Sequence, residues 1–224
     1  MPGGPITMVL SGDLYVQRPD PESIFEHTAA YLREADLFFG NLEAAVTDVG
    51  KPSEAKGSGA LFKSEERMFG AYLHAGLDAV GLANNHSMNY GMDGMQRTMD
   101  LLDGAGIAHT GAGADLDAAH RHATVERGGN RVAFLSYSSV FVPGFAATGA
   151  RGGIATVRVS TAYEPQDRLV EVPGSPPIIH TTPDPAQTAR MADDIARAKG
   201  DADVVAVSWH WGLSPATGGD GRLV

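Results

Sequence analysis

The chain has 224 residues, 43% of them hydrophobic and 20% charged, which is enough apolar material to bury a sizeable core. Its 17 Lys+Arg against 27 Asp+Glu give a net charge of -10, which argues against a nonspecific grip on nucleic acid or anionic lipid. With no cysteine there is no disulfide, thiolate metal site or cysteine nucleophile, so any metal falls to His, Asp, Glu or Asn.

Ile6 to Leu10 is a short apolar run that ends in Ser11-Gly12-Asp13, the pattern of a buried strand stopping at a polar turn. Asp20-Pro21-Glu22 supplies a helix start, and Ile24, Phe25, Thr28, Tyr31 and Leu32 follow at helical spacing. Leu37-Phe38-Phe39 is a second strand, ending in Gly40-Asn41-Leu42-Glu43. A small, polar surface loop covers Lys51 to Gly59, and a helix is predicted around Glu65 to Ala75. Leu77 to Leu82 reads as a third strand, ending in Ala83-Asn84-Asn85-His86. The helix from Gly91 carries Met92, Met95, Met99 and Leu102 at spacings of three and four, a stripe that reads as core.

Ile107 to Thr110 is a short strand, and Val125 and Arg131 to Tyr137 flank Gly128-Gly129-Asn130 as an antiparallel hairpin. Ser138 to His180 has little period and predicts irregular loops with short strands. Thr182-Pro183-Asp184-Pro185 opens a helix with Met191 and Ile195 toward the core and a stop at Gly200, and Val204 to Ser208 is the last strand, running into Trp209-His210-Trp211-Gly212. Strands alternating with helices give an α/β class with a mostly parallel sheet. No linker-like stretch divides it, so residues 1–224 read as one domain. Met1 to Leu10 lacks the basic start of a secretory signal, and no apolar stretch of about 18 residues offers a membrane span, so the cytoplasm is the default location.

In open α/β sheets the ligand crevice lies beyond the carboxyl ends of the strands. The residues there are Asp13, Glu43, Asn85 with His86, and His210. Singly each has an ordinary reading: Asp13 as a turn former, Glu43 as a solvated loop charge, Asn84-Asn85 as a left-handed turn pair, and His86 or His210 as core residues. Together they place carboxylates, an amide and imidazoles on one edge, a donor set that suits one or two divalent cations such as Mn, Fe, Zn or Mg. His120 and His122 read as surface histidines. Gly111-Ala112-Gly113 is a weak dinucleotide signal, because Leu116 stands where the third glycine belongs, and no serine lies in a nucleophile elbow.

These residues resemble a known family. Ser11-Gly12-Asp13, Gly40-Asn41-Leu42-Glu43, Ala83-Asn84-Asn85-His86-Ser87-Met88-Asn89-Tyr90-Gly91, Gly106-Ile107 with Gly111-Ala112-Gly113, and His210-Trp211-Gly212 occur in the order of the CapA family. That family comprises the capsule and poly-γ-glutamate biosynthesis proteins of the calcineurin-like metallophosphatase superfamily, and the resemblance runs from about Thr7 to Gly212. It implies a four-layer α/β/β/α sandwich with a dinuclear metal site. Matched to the motifs, the resemblance implies Asp13 and Glu43 as metal ligands, with Glu43 in the bridging place. It implies Asn85 as a ligand of the second metal, His210 as another ligand, and His86 as the residue that touches the substrate or protonates the leaving group.

Two departures stand out. Asp13-Leu14-Tyr15 replaces the Asp-x-His of many metallophosphatases, and no histidine follows His210, where the family goes on to a Gly-His-His-Pro-His segment. The expectation is therefore an N-terminal portion of a longer protein, or a truncated member, with an incomplete metal site and some uncovered apolar surface.

Three functional readings follow. The first is a metal-dependent hydrolase of a phosphoester or γ-glutamyl polymer, in which water activated at the metal site attacks in line and His86 assists departure. The second is a non-catalytic polymer-binding or capsule-assembly protein, with the capsule-synthesis machinery as partner. The third and most remote is a nucleotide-binding domain built on the Gly111 turn.

Overall fold

A computed structural model describes residues 3–56, 61–166, 172, 174 and 176–212. In chain order the strands and α-helices begin with β1 (Met8–Leu14), α1 (Ala29–Glu34), β2 (Leu37–Leu42), β3 (Ala45–Val46), β4 (Lys63–Ser64), α2 (Phe69–Ala75), β5 (Ala79–Gly81) and α3 (Gly91–Ala105). They continue with β6 (Ala108–Thr110), β7 (Ala112–Gly113), α4 (Leu116–Ala119), β8 (Ala123–Arg127) and β9 (Asn130–Ser138). The last are β10 (Gly153–Ile154), β11 (Val159–Glu164), β12 (Ile178–Pro183), α5 (Pro185–Asp201) and β13 (Val204–His210).

Four parallel strands in the order β1-β2-β5-β6 form one sheet. A second sheet has the order β13-β9-β8, with β13 parallel and β8 antiparallel to β9. Alternation along the strands shows how they stack, because successive side chains point to opposite faces. On β2, Phe38 joins a cluster with Met68 and Tyr72 beside α2 and Met95 and Leu102 on α3, while its neighbours Leu37 and Phe39 pack against Val132 and Phe134 of β9. The rings of Phe39 and Phe134 stack at 4.7 Å between the sheets. On β9, Ala133, Leu135 and Tyr137 face the other way, onto α4 and α5. The methionine stripe of α3 is core, as its spacing predicts, with Met95 and Met99 buried.

Several local expectations need correction. The first strand does not stop at Ser11: β1 runs on through Asp13, and Leu10 pairs with Phe39 whereas Asp13 pairs with Asn41. Three steps on β1 against two on β2 make a one-residue bulge at Ser11-Gly12. Gly40 lies beneath it, for a Cβ there would meet Ser11 Oγ and Leu14 Cδ1 at 2.5 Å.

The helix expected from Asp20 to Leu32 breaks into a 3-10 turn at Glu22–Phe25 and the short α1, with Phe25 buried and Tyr31 exposed. The hairpin is confirmed, and its two-residue loop Gly128-Gly129 has φ of 58° and 79°, the pair of positive values that a tight turn matching the strand twist requires. In the segment from Ser138 to His180, β11 and β12 pair as an exposed antiparallel ribbon, and part of that stretch lies outside the described residues, as does part of the Lys51 to Gly59 loop.

His120 is not a surface residue. It is buried, and its Nδ1 lies 2.7 Å from Asp194 Oδ2, which also accepts a hydrogen bond from Tyr137 Oη at 3.0 Å. Arg197 pairs with the other Asp194 oxygen. This network ties α5 to β9 and to the end of α4. The Gly111 turn is likewise structural: a Cβ there would meet Ser136 Cβ at 2.7 Å, and one at Gly113 would meet the Ala118 backbone at 2.5 Å.

Candidate metal centre

The carboxyl ends of β1, β2 and β13 meet at one edge of the two packed sheets. Because of the bulge, Asp13 stands beside Asn41 rather than one residue out of step with it. Glu43 follows β2 by one residue, and its backbone N–H bonds to the Leu14 carbonyl at 3.1 Å. His210 ends β13 in register with Ser138 of β9, and its carbonyl accepts from the Ser139 N–H at 3.0 Å.

Asp13, Glu43 and His210 each bring one ligand atom into a group spanning no more than 4.8 Å. His210 Nδ1 lies 3.8 Å from Asp13 Oδ1 and from Glu43 Oε2, and its Nε2 lies 2.9 Å from Asn85 Oδ1. The other Glu43 oxygen, Oε1, faces His86 Nε2 at 3.8 Å. All five residues singled out from the sequence therefore share one site. The plain readings of two of them fail: Glu43 is buried rather than solvated, and no non-glycine residue among those described has a positive φ, so Asn84-Asn85 is not a left-handed pair.

What sequence reasoning missed is the amide scaffold. Asn41 donates from Nδ2 to Asp13 Oδ1 at 2.7 Å and to Glu43 Oε2 at 2.8 Å, holding the two carboxylates together. Asn84, fully buried, donates to Asn41 Oδ1 at 3.0 Å and to the Leu42 carbonyl at 2.9 Å. Its own Oδ1 accepts from the backbone N–H groups of His86 and Ser87 at 3.0 and 2.8 Å, which folds the loop that presents Asn85 and His86. The sequence did carry a signal for Asn41: it stands two residues before Glu43 at the end of an apolar strand.

Burial pushes the His210 imidazole below its ordinary value, with the Asp13 charge opposing the shift. The ring is thus neutral at pH 7, the form that offers a lone pair to a cation. His86 stacks on Phe62 at 4.1 Å, and Phe62 stacks in turn on Tyr15 at 5.3 Å, so an aromatic wall flanks the carboxylates. Two carboxylates and an imidazole converging here, with the Asn85 amide oxygen at the other ring nitrogen of His210, fit a divalent cation of the Mn, Fe, Zn or Mg type. Among the described residues no helix is long and apolar enough to cross a membrane.

Comparison with known proteins agrees with the motifs. A family model described as "Bacterial capsule synthesis protein PGA_cap" matches residues 2–217. An uncharacterized protein of Sinorhizobium fredii is 35% identical over 61% of this chain and 31% of its own length. The capsule biosynthesis protein CapA of Bacillus anthracis is 28% identical over 92% of this chain and 46% of its own, and the PGA biosynthesis protein CapA of Bacillus subtilis is 25% identical over 93% and 47%. The chain thus spans about half the length of the two Bacillus relatives it matches and about a third of the Sinorhizobium one. It belongs to the bacterial capsule synthesis protein family, PGA_cap.

Proposed function

We propose that this edge is a dinuclear metal centre of the metallophosphatase type, on a four-layer α/β/β/α sandwich, and that it hydrolyses a phosphoester or a γ-glutamyl linkage during capsule or poly-γ-glutamate synthesis. The observation that carries the reading is the convergence of Asp13, Glu43 and His210, from three strands, within 4.8 Å. Residues 1–224 act as one domain in this reading. The helix, sheet, sheet, helix succession of the three core clusters supports it.

Asp13, Glu43, Asn85 and His210 would hold the cations, with Glu43 in the bridging role that the family resemblance implies. Bound there, the cations would supply Lewis acidity and a water of lowered pKa. The protein's own groups do the rest. Asn41 keeps the carboxylates from splaying, Asn84 sets the loop, and the Phe62 ring orients His86. His86 bonds to the departing or developing anionic oxygen and supplies it with a proton.

The substrate belongs to the capsule-synthesis machinery, in keeping with the family. A second reading, a polymer-binding or assembly protein without turnover, uses the same fold and ligands. Calorimetric titration with manganese and zinc, followed by a turnover screen on phosphoesters and γ-glutamyl peptides, separates the two. Turnover lost in His86→Ala while cation binding persists is the expected result. Binding of polymer with no turnover favours the second reading, and no cation binding refutes the centre.

A further inference from the structure

Asn89 is fully buried three residues beyond His86. Its Nδ2 lies 2.9 Å from His86 Nδ1 and 3.4 Å from the Phe62 carbonyl oxygen, while its Oδ1 has no hydrogen-bond partner among the described residues. Two orientations of the amide fit the same volume, and the Phe62 carbonyl distinguishes them. With Nδ2 toward it, one amide hydrogen goes to the carbonyl and the other to His86. With Oδ1 there instead, two acceptor oxygens face each other across that distance.

An N–H aimed at a ring nitrogen requires that nitrogen to accept, so His86 Nδ1 is the unprotonated one and the neutral ring carries its proton on Nε2. Stacking on Phe62 covers one face of the ring and fixes its plane, and Nε2 points toward Glu43 Oε1 at 3.8 Å.

We infer that Asn89 is a positioning residue that locks His86 in the Nε2–H tautomer, so that the neutral ring presents a hydrogen-bond donor, not a lone pair, to the carboxylate edge. This deepens the proposed function and rests on its assignment of His86 to the substrate side. It makes His86 a donor to an oxygen of a bound phosphoryl or acyl group, and it removes His86 from the set of cation ligands, because ligation through Nε2 needs that proton gone. A carboxylate at position 89 would do the opposite, accepting from Nδ1–H and turning the Nε2 lone pair toward the site.

The test is nitrogen–proton correlation NMR of the imidazole rings in the full chain at a pH where His86 is neutral, with His86 assigned from its loss in His86→Gln. Spectra are recorded in chelator and again after zinc is added. The Nε2–H pattern is expected in both, and Asn89→Asp is expected to convert it to Nδ1–H. An Nδ1–H ring in the unsubstituted chain, loss of the Nε2 proton on adding zinc, or an Nε2–H ring retained in Asn89→Asp would overturn the inference. Should Asn89→Asp fail to fold, the two spectra of the unsubstituted chain decide alone. Zinc calorimetry on the same sample reports separately on the metal centre: absence of binding refutes that reading and leaves the tautomer to its own measurement.

Discussion

Replacing Asp194 by alanine removes the one acceptor shared by three donors behind the second sheet. His120 Nδ1 and Tyr137 Oη bond to Oδ2 at 2.7 and 3.0 Å, and Arg197 pairs with Oδ1. Arg197 reaches solvent and loses little, but the other two donors are enclosed. Stranding a buried donor costs about 1–3 kcal/mol and two are stranded here, so the expected loss is about 2–6 kcal/mol. Against a typical domain stability of about 5–15 kcal/mol that is a large fraction. Asp194→Asn keeps the volume and one acceptor oxygen and should lose about half as much.

Burial raises the Asp194 carboxyl, but the hydrogen bonds and charge it receives from His120, with Tyr137 and Arg197, outweigh burial and leave it below its ordinary value. A carboxyl held below its unfolded value of about 3.9 contributes stability that is complete above that pH and is lost as the pH falls through the lower folded value. The difference between the unsubstituted chain and Asp194→Ala should therefore shrink as the pH falls below about 4. Urea unfolding followed by circular dichroism at pH 7 and from about pH 4 downward measures it. A loss under about 1 kcal/mol at pH 7, or a gap that does not shrink below about pH 4, refutes the reasoning.

Phe134→Ala empties the space against Phe39 between the sheets and should cost about 3–5 kcal/mol in the same assay, with a smaller loss showing that the sheets close over the cavity. Manganese or zinc at about 100 times its dissociation constant should stabilise the chain by about 2.7 kcal/mol, read as a rise in melting temperature that chelator reverses. Glu43→Gln should abolish most of that rise, and an unchanged rise would place the cation elsewhere. Asn41→Ala removes the amide donor that Asp13 and Glu43 share, so about 1–3 kcal/mol should be lost in chelator and part of it recovered with cation; equal losses in both conditions would show that Asn41 does not restrain the carboxylates.

The strands were legible because each is a short apolar run closed by polar residues, and the methionines of α3 because helical spacing leaves them one face. From those ends the five site residues followed, though their convergence depends on two sheets packing face to face, which no single segment encodes. Asn41 and Asn84 escaped because an asparagine at a strand end serves turns as readily as it anchors a carboxylate. His120 was misjudged because its partner lies 74 positions away on α5, beyond any local pattern. The β11–β12 ribbon was legible only as short strands of unknown position, since both its strands are exposed and need no alternation.

The extra residue in β1 gives the proposed centre a dependence on strand register as well as on chemistry. Side chains along a strand alternate in direction, so ironing the bulge out at unchanged length would set Asp13 opposite Leu42 and turn its carboxylate to the other face. Every candidate ligand would still be present in such a chain, yet Asp13 would no longer stand beside Asn41. Deleting either Ser11 or Gly12 would instead straighten the strand and leave the aspartate in regular register with Asn41. A relative one residue shorter here can therefore keep the same pairing without the bulge, whereas one a residue longer needs a matching insertion in β2.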